Sequence, residues 1–137
     1  MKKIYKILLV GLFILSFGIS KANFVSVSTA QSAAVKYLSL KGESNSISLV
    51  HSEYVSNTNT IIFYVFDVSG GGHIIISADD RMDPIRAYVP NEYYNINSNN
   101  PGIAVWKYWH EKFFIDSIIA PIQSDRKINE WNFYINP

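Results

Sequence analysis

No cysteine occurs anywhere in the 137 residues. The chain can therefore form no disulfide, offers no thiol nucleophile and has no N-terminal cysteine to which a lipid could be attached. Histidine is nearly as scarce. His51, His73 and His110 are the only three, and none stands in the His-x-x-x-His spacing from which a zinc site is built. No metal and no cofactor is expected. A G-x-S-x-G elbow is missing as well, so a Ser-His-Asp triad has no support in the residue order. Gly70-Gly71-Gly72 lacks the Gly-Lys-Ser/Thr ending of a phosphate loop. Asp79 and Asp80 are adjacent, which in extended chain sends them to opposite faces, and no calcium-loop spacing follows them. Their carboxylates suit a turn that accepts from local amides. Nothing here supports an enzyme.

The chain also lacks an apolar stretch of the roughly 20 residues needed to span a bilayer. Residues 7–17 are apolar and uncharged but too few, and Lys2, Lys3 and Lys6 precede them. That is the arrangement of a signal peptide, and Ser20-Lys21-Ala22 places small residues where a signal peptidase reads, so cleavage is expected after Ala22. The expected product, residues 23–137, is secreted to the periplasm or the medium with no membrane anchor. Loss of the leader leaves eight basic against eleven acidic side chains, a net charge of −3. A chain so charged, with scattered cations, has no electrostatic footprint for nucleic acid. Its length fits one domain able to bury about two-thirds of its unfolded surface, enough for a core without disulfides.

What is present reads as an α+β domain. Ser28-Thr29-Ala30-Gln31 has the form of a capping box. Ala30, Ala33, Ala34, Tyr37 and Leu38 then fall on one helical face, and Gly42 ends it. Residues 47–55 approach period two, with Ile47 and Leu49 on one face and Val50 and Tyr54 on the other. Residues 61–68 are β-branched and aromatic on both faces, as a central strand requires. A glycine turn at 69–72, a second apolar strand at 73–78, the Asp79-Asp80-Arg81 turn and a short strand at 85–89 complete an antiparallel sheet of about four strands. An asparagine-rich loop lies between Pro90 and Pro101, and loops of about 12 residues tend to carry function. A C-terminal helix follows with Ile103, Trp106, His110, Phe113 and Ser117 down one stripe, flanked by Val105, Trp109 and Phe114. Beyond Pro121, Ser124-Asp125 is a possible cap for a last element that carries Ile128, Trp131, Phe133, Tyr134 and Ile135 and must dock or expose them.

The succession Tyr64-Val65-Phe66, Gly71-Gly72, Ile74-Ile75-Ile76-Ser77-Ala78-Asp79-Asp80-Arg81, Pro84-Ile85 and Tyr88 resembles the propeptide of streptopain-type (C10) cysteine peptidases and the related Spi protease inhibitors. The likeness runs from about Ser28 to Ile119. His73 stands where that family usually has phenylalanine, and Arg86-Ala87 where it tends to have leucine and glycine. The resemblance implies an antiparallel sheet with helices that lies across the peptidase cleft. With no peptidase domain after it, the chain is expected to be a free-standing inhibitor of a C10-type cysteine peptidase, monomeric when free. In the related propeptides a loop just before the aromatic helix enters the cleft, with an asparagine as a recurrent contact. By position this implies Asn99 and Asn100, within a protease-binding segment that also takes in Asn97, Pro101 and Gly102. The same asparagines would equally serve as turn formers and a helix cap. Two alternatives differ in class: a secreted surface or carbohydrate-binding module, for which Trp106, Trp109 and Trp131 would share one exposed face, and an inactive truncated propeptide.

Overall fold

The computed structural model describes residues 24–43, 46–119 and 125–136. The leader read at residues 1–22 and the Ser124 half of the proposed cap lie outside them. Helix α1 spans Val27–Leu40 and is followed by strands β1 (Ile47–Tyr54), β2 (Ile61–Val68), β3 (Gly72–Ser77) and β4 (Ile85–Pro90). Helices α2 (Pro101–Ile119) and α3 (Asp125–Ile135) close the chain. The strands form one antiparallel meander in the order β1-β2-β3-β4. This is the α+β architecture expected from the sequence.

Helix α1 starts earlier than Ser28. Its N-cap is Ser26, in extended conformation, whose Oγ accepts from the Thr29 amide at 3.1 Å. Ser28 instead lies in the first turn with its hydroxyl 2.9 Å from that of Ser26, so the Ser28–Gln31 capping box is not the cap. Several hydroxyls in succession made the start ambiguous by sequence. The stop is as expected: Gly42 takes a φ of +79°, and the amides of Gly42 and Glu43 return to the carbonyls of Ser39 and Leu38 at 3.0 and 2.9 Å. That double closure is a Schellman motif, which favours glycine for its left-handed conformation.

The sheet is covered on both faces because β2 and β3 are apolar on both. Tyr64, Phe66, Val68, Ile74 and Ile76 point to one side, where they bury against Ala30, Ala33, Ala34 and Leu38 of α1 and Trp131 of α3. Three alanines on α1 let its axis approach the sheet closely. On the other side Ile62, Phe63, Val65 and Ile75 pack with Met82 and with Phe114 of α2. In β1 the expected two-faced alternation is broken by a register shift between Leu49 and His51, and Leu49 and Val50 are both exposed. An edge strand with a bulge resists pairing with another chain.

The segment after β3 ties these layers together. Asp79 is buried and accepts from the Arg81 backbone amide at 2.9 Å and from the Arg81 Nε at 2.7 Å. The backbone beside it bridges to Phe24, and Val25 donates to the Ala78 carbonyl at 3.0 Å. The Ser77 hydroxyl donates to the Asp83 carbonyl at 2.6 Å. The Trp131 indole donates to the Met82 carbonyl at 2.9 Å, and Lys127 reaches the Asp83 carboxylate at 2.8 Å. One acidic turn thus holds the chain's N-terminal entry and its last helix on the same face of the sheet. Asp79 acts as a local acceptor and Asp83 as the tie to α3, in keeping with an architectural role.

Candidate functional site

The asparagine-rich loop leaves β4 at Pro90 and enters α2 at Pro101, and it is fastened at both ends. At its root, Asn91 has a φ of +65° and lies against the glycine turn, with a Cβ on Gly71 falling 3.4 Å from the Asn91 Cα. His73 Nδ1–H donates to the Glu92 carbonyl at 2.7 Å, and the carboxylate of Asp67, its partner across the β2–β3 pair, accepts from the Tyr94 amide at 3.1 Å. The Tyr94 ring stacks on His51 at 5.4 Å and meets His73 edge-on at 5.5 Å. At the far end Asn100 caps α2. Its Oδ1 accepts from the Gly102 amide at 2.8 Å, and Pro101 occupies the first helical position, where its missing N–H costs nothing.

Between these anchors the tip organises itself. The Asn95 side chain accepts from the Asn97 amide at 3.0 Å, its carbonyl accepts from the Ser98 amide at 3.1 Å, and the Ser98 hydroxyl accepts from the Asn100 amide at 3.3 Å. The side chains of Asn97 and Asn99 are exposed and bond to none of the described residues, and Ile96 beside them is exposed as well. Beneath the loop, between β3, β4 and the first turns of α2, is a cavity of about 400 Å³ with Trp106, Tyr94 and Lys107 in its walls. The loop is therefore held by its ends and its own turns more than by packing along its length. Of the five residues the sequence pointed to, Pro101 and Gly102 form the helix start, Asn100 is the cap, and Asn97 and Asn99 are presented to solvent. Pattern reading missed Asp67, His73 and Tyr94. Their signal was an acid and a histidine in otherwise apolar strands.

Helix α2 turns the expected stripe inward at Ile103, Trp106, His110 and Ser117, but its buried centre is the flanking Phe114 and not Phe113. Phe114 is buried and Trp106 and His110 are half-buried, while Phe113, Val105 and Trp109 are exposed. Polar residues select this orientation: Lys107 pairs with Glu53 of β1 at 2.8 Å, and Glu111 accepts from the Ser56 amide and hydroxyl at 2.7 and 3.1 Å. Trp131 lies on the opposite side of the sheet from Trp106, and Trp109 alone of the three indoles is exposed. No common tryptophan platform exists for the carbohydrate-binding alternative.

Two partly buried carboxylates tie helices to this frame. Burial alone would raise both, yet hydrogen bonds from Lys107 and His51 hold Glu53 below its ordinary 4.5, and Lys127 with neighbouring arginines holds Asp83 below its ordinary 3.8. Groups depressed on folding stabilise fully above their unfolded values and lose that contribution as pH falls through the folded ones. We expect a thermal midpoint that is level from about pH 7 to about pH 5 and falls below about pH 4. The fall should be smaller in Asp83→Asn; an unchanged acid limb in that variant would show that Asp83 does not contribute.

Among the described residues no cluster of His, Cys, Asp or Glu could hold a metal, and no helix is long and apolar enough to cross a membrane. A family model described as Spi protease inhibitor matches residues 22–112, two-thirds of the chain and all of the sheet, the loop and the first turns of α2. The chain belongs to the Spi protease inhibitor family. Comparison with curated proteins and with solved structures returned no match. Membership makes this Spi protein a protease inhibitor, and its partner a protease. Most of α2 lies within the matched segment, whereas α3, which completes the core through Trp131, lies beyond it.

Proposed function

We propose that this chain is a secreted inhibitor of a streptopain-type (C10) cysteine peptidase and that residues 95–102 occupy the peptidase's catalytic cleft. The observation that carries the proposal is the loop itself, rooted by His73 and Asp67, capped by Asn100, and exposed between them at Ile96, Asn97 and Asn99. Blocking a cleft requires no chemistry from the inhibitor. It requires a segment already ordered in the bound shape, so that little conformational entropy is lost on docking. Turns at Asn95 and Ser98 supply that order, and they keep the backbone from the extended form in which a peptidase cleaves. Asn97 and Asn99 are the direct contacts, Asn100 sets their position from the helix start, and Ile96 adds apolar area.

Stoichiometric loss of peptidase activity on adding the purified chain is the expected result, and an undiminished rate at excess inhibitor would falsify the proposal. The two asparagines at the helix start should then separate. Asn99→Ala should weaken inhibition about tenfold or more, a loss of at least ~1.4 kcal/mol, with an unchanged melting curve. Asn100→Ala should lower stability by about 1 kcal/mol through loss of the cap. Equal inhibition by Asn99→Ala and the native protein would remove Asn99 from the contact.

A further inference from the structure

A second cavity, of about 350 Å³, opens between β4 and the outward side of α2, away from the loop. Arg86 lines it, and only 14% of that side chain is exposed. A guanidinium has five N–H donors. The one charged partner of Arg86 among the described residues is Asp83, at 3.7 Å, beyond hydrogen-bond distance, and the guanidinium makes no hydrogen bond to any of them. Asp83 is itself engaged by Lys127 at 2.8 Å and Arg126 at 3.2 Å, and Asp116 at the rim is paired with Lys112 at 3.3 Å. The carboxylates around the cavity are thus already neutralised. Arg86 shares the single carboxylate of Asp83 with Lys127 and Arg126, so its charge is only partly compensated.

The remaining walls are aromatic. Trp109 and Phe113 line the opening and stand 58% and 51% exposed, and His110 is turned away to the Trp106 carbonyl, to which its Nδ1 donates at 2.8 Å. Burial lowers His110, so it adds no cation at neutral pH. A largely buried arginine without hydrogen bonds is costly unless an anion meets it, and a planar guanidinium matches a carboxylate in two-point geometry. The volume falls in the range of about 300–1,000 Å³ typical of small-molecule sites.

We infer that this cavity is a binding site for a carboxylate carried on an apolar or aromatic body, with Arg86 taking the charge and Trp109 and Phe113 taking the body. The carboxylate comes either from a small organic acid or from an aspartate or glutamate of the inhibited peptidase with an apolar side chain beside it as the body; only the second source rests on the proposed function.

The test is an NMR titration of the whole chain at constant ionic strength with 3-phenylpropionate and, separately, its neutral amide. The acid should give saturable shifts at the Trp109 indole and Arg86 Nε signals, and the amide should give little. Arg86→Met should weaken acid binding at least about tenfold. Trp109→Ala, a change at an exposed position that leaves the core untouched, should also weaken it. Shifts that never saturate, equal responses to acid and amide, or native affinity in either variant would overturn the site. Release of the bound acid by added peptidase would assign the natural carboxylate to the peptidase; retention in the ternary complex would assign it to a free acid.

Discussion

Trp131→Ala is expected to cost about 3–5 kcal/mol and to lower the melting midpoint by roughly 10 °C or more. The side chain is 4% exposed and packs in the cluster shared by α1 and the sheet. Truncation loses its transfer free energy and leaves a cavity that α1 cannot fill, because the helix meets the sheet through alanines already in contact. Trp131→Phe divides the effect. It keeps most of the ring but leaves the Met82 carbonyl without its donor, a loss of about 1–2 kcal/mol. Equal midpoints for native protein and Trp131→Ala by calorimetry would mean that α3 is not docked in solution. The acidic turn would then lose its role as the joint between the last helix and the sheet.

Gly72→Ala is the second large effect, and it bears directly on inhibition. Gly72 has a φ of +103°, and a Cβ there would lie 2.8 Å from the Val89 carbonyl oxygen and 3.3 Å from both the Pro90 Cα and the Asn91 amide nitrogen. All three obstacles are backbone, so relief requires β4 and the root of the loop to move. We expect a loss of about 2–4 kcal/mol from combined strain and displacement. Inhibition should fall along with stability, since the chain shifts where the loop begins. Gly70→Ala provides the control. Its φ of +93° brings strain, but nothing lies within 4 Å of an added Cβ, so its inhibition constant should stay native when measured well below the melting midpoint. Parallel loss of inhibition in both variants would uncouple the loop root from Gly72.

How much the residue order disclosed depended on how sharply polar and apolar side chains alternate. In β2 and β3 a dense run of β-branched and aromatic residues bounded by glycine and turn residues leaves one assignment, and both strands lie within a residue of expectation. In α2 apolar side chains occupy every face, so the helical period set Ile103, Trp106, His110 and Ser117 on the inward side but did not separate buried Phe114 from exposed Phe113. The choice fell to Lys107 and Glu111, whose partners Glu53 and Ser56 are distant in the chain and invisible to any local pattern. The same limit hid the loop's anchors. Asp67 and His73 read as isolated polar residues in strands until antiparallel pairing set them side by side under the loop root.

By itself the sequence determined the absence of thiol chemistry, the α+β order of elements, the close-packing face of α1 and the likeness that family membership bears out. These follow from composition, local period and turn residues, which act over a few positions. Tertiary structure alone decided how the root of the loop is anchored, that Phe114 and not Phe113 of α2 is buried, and that Arg86 sits largely buried without a hydrogen bond to any described residue. Those outcomes depend on desolvation and on pairing between residues 19 to 55 positions apart, and such energies exist only once the chain has closed on itself.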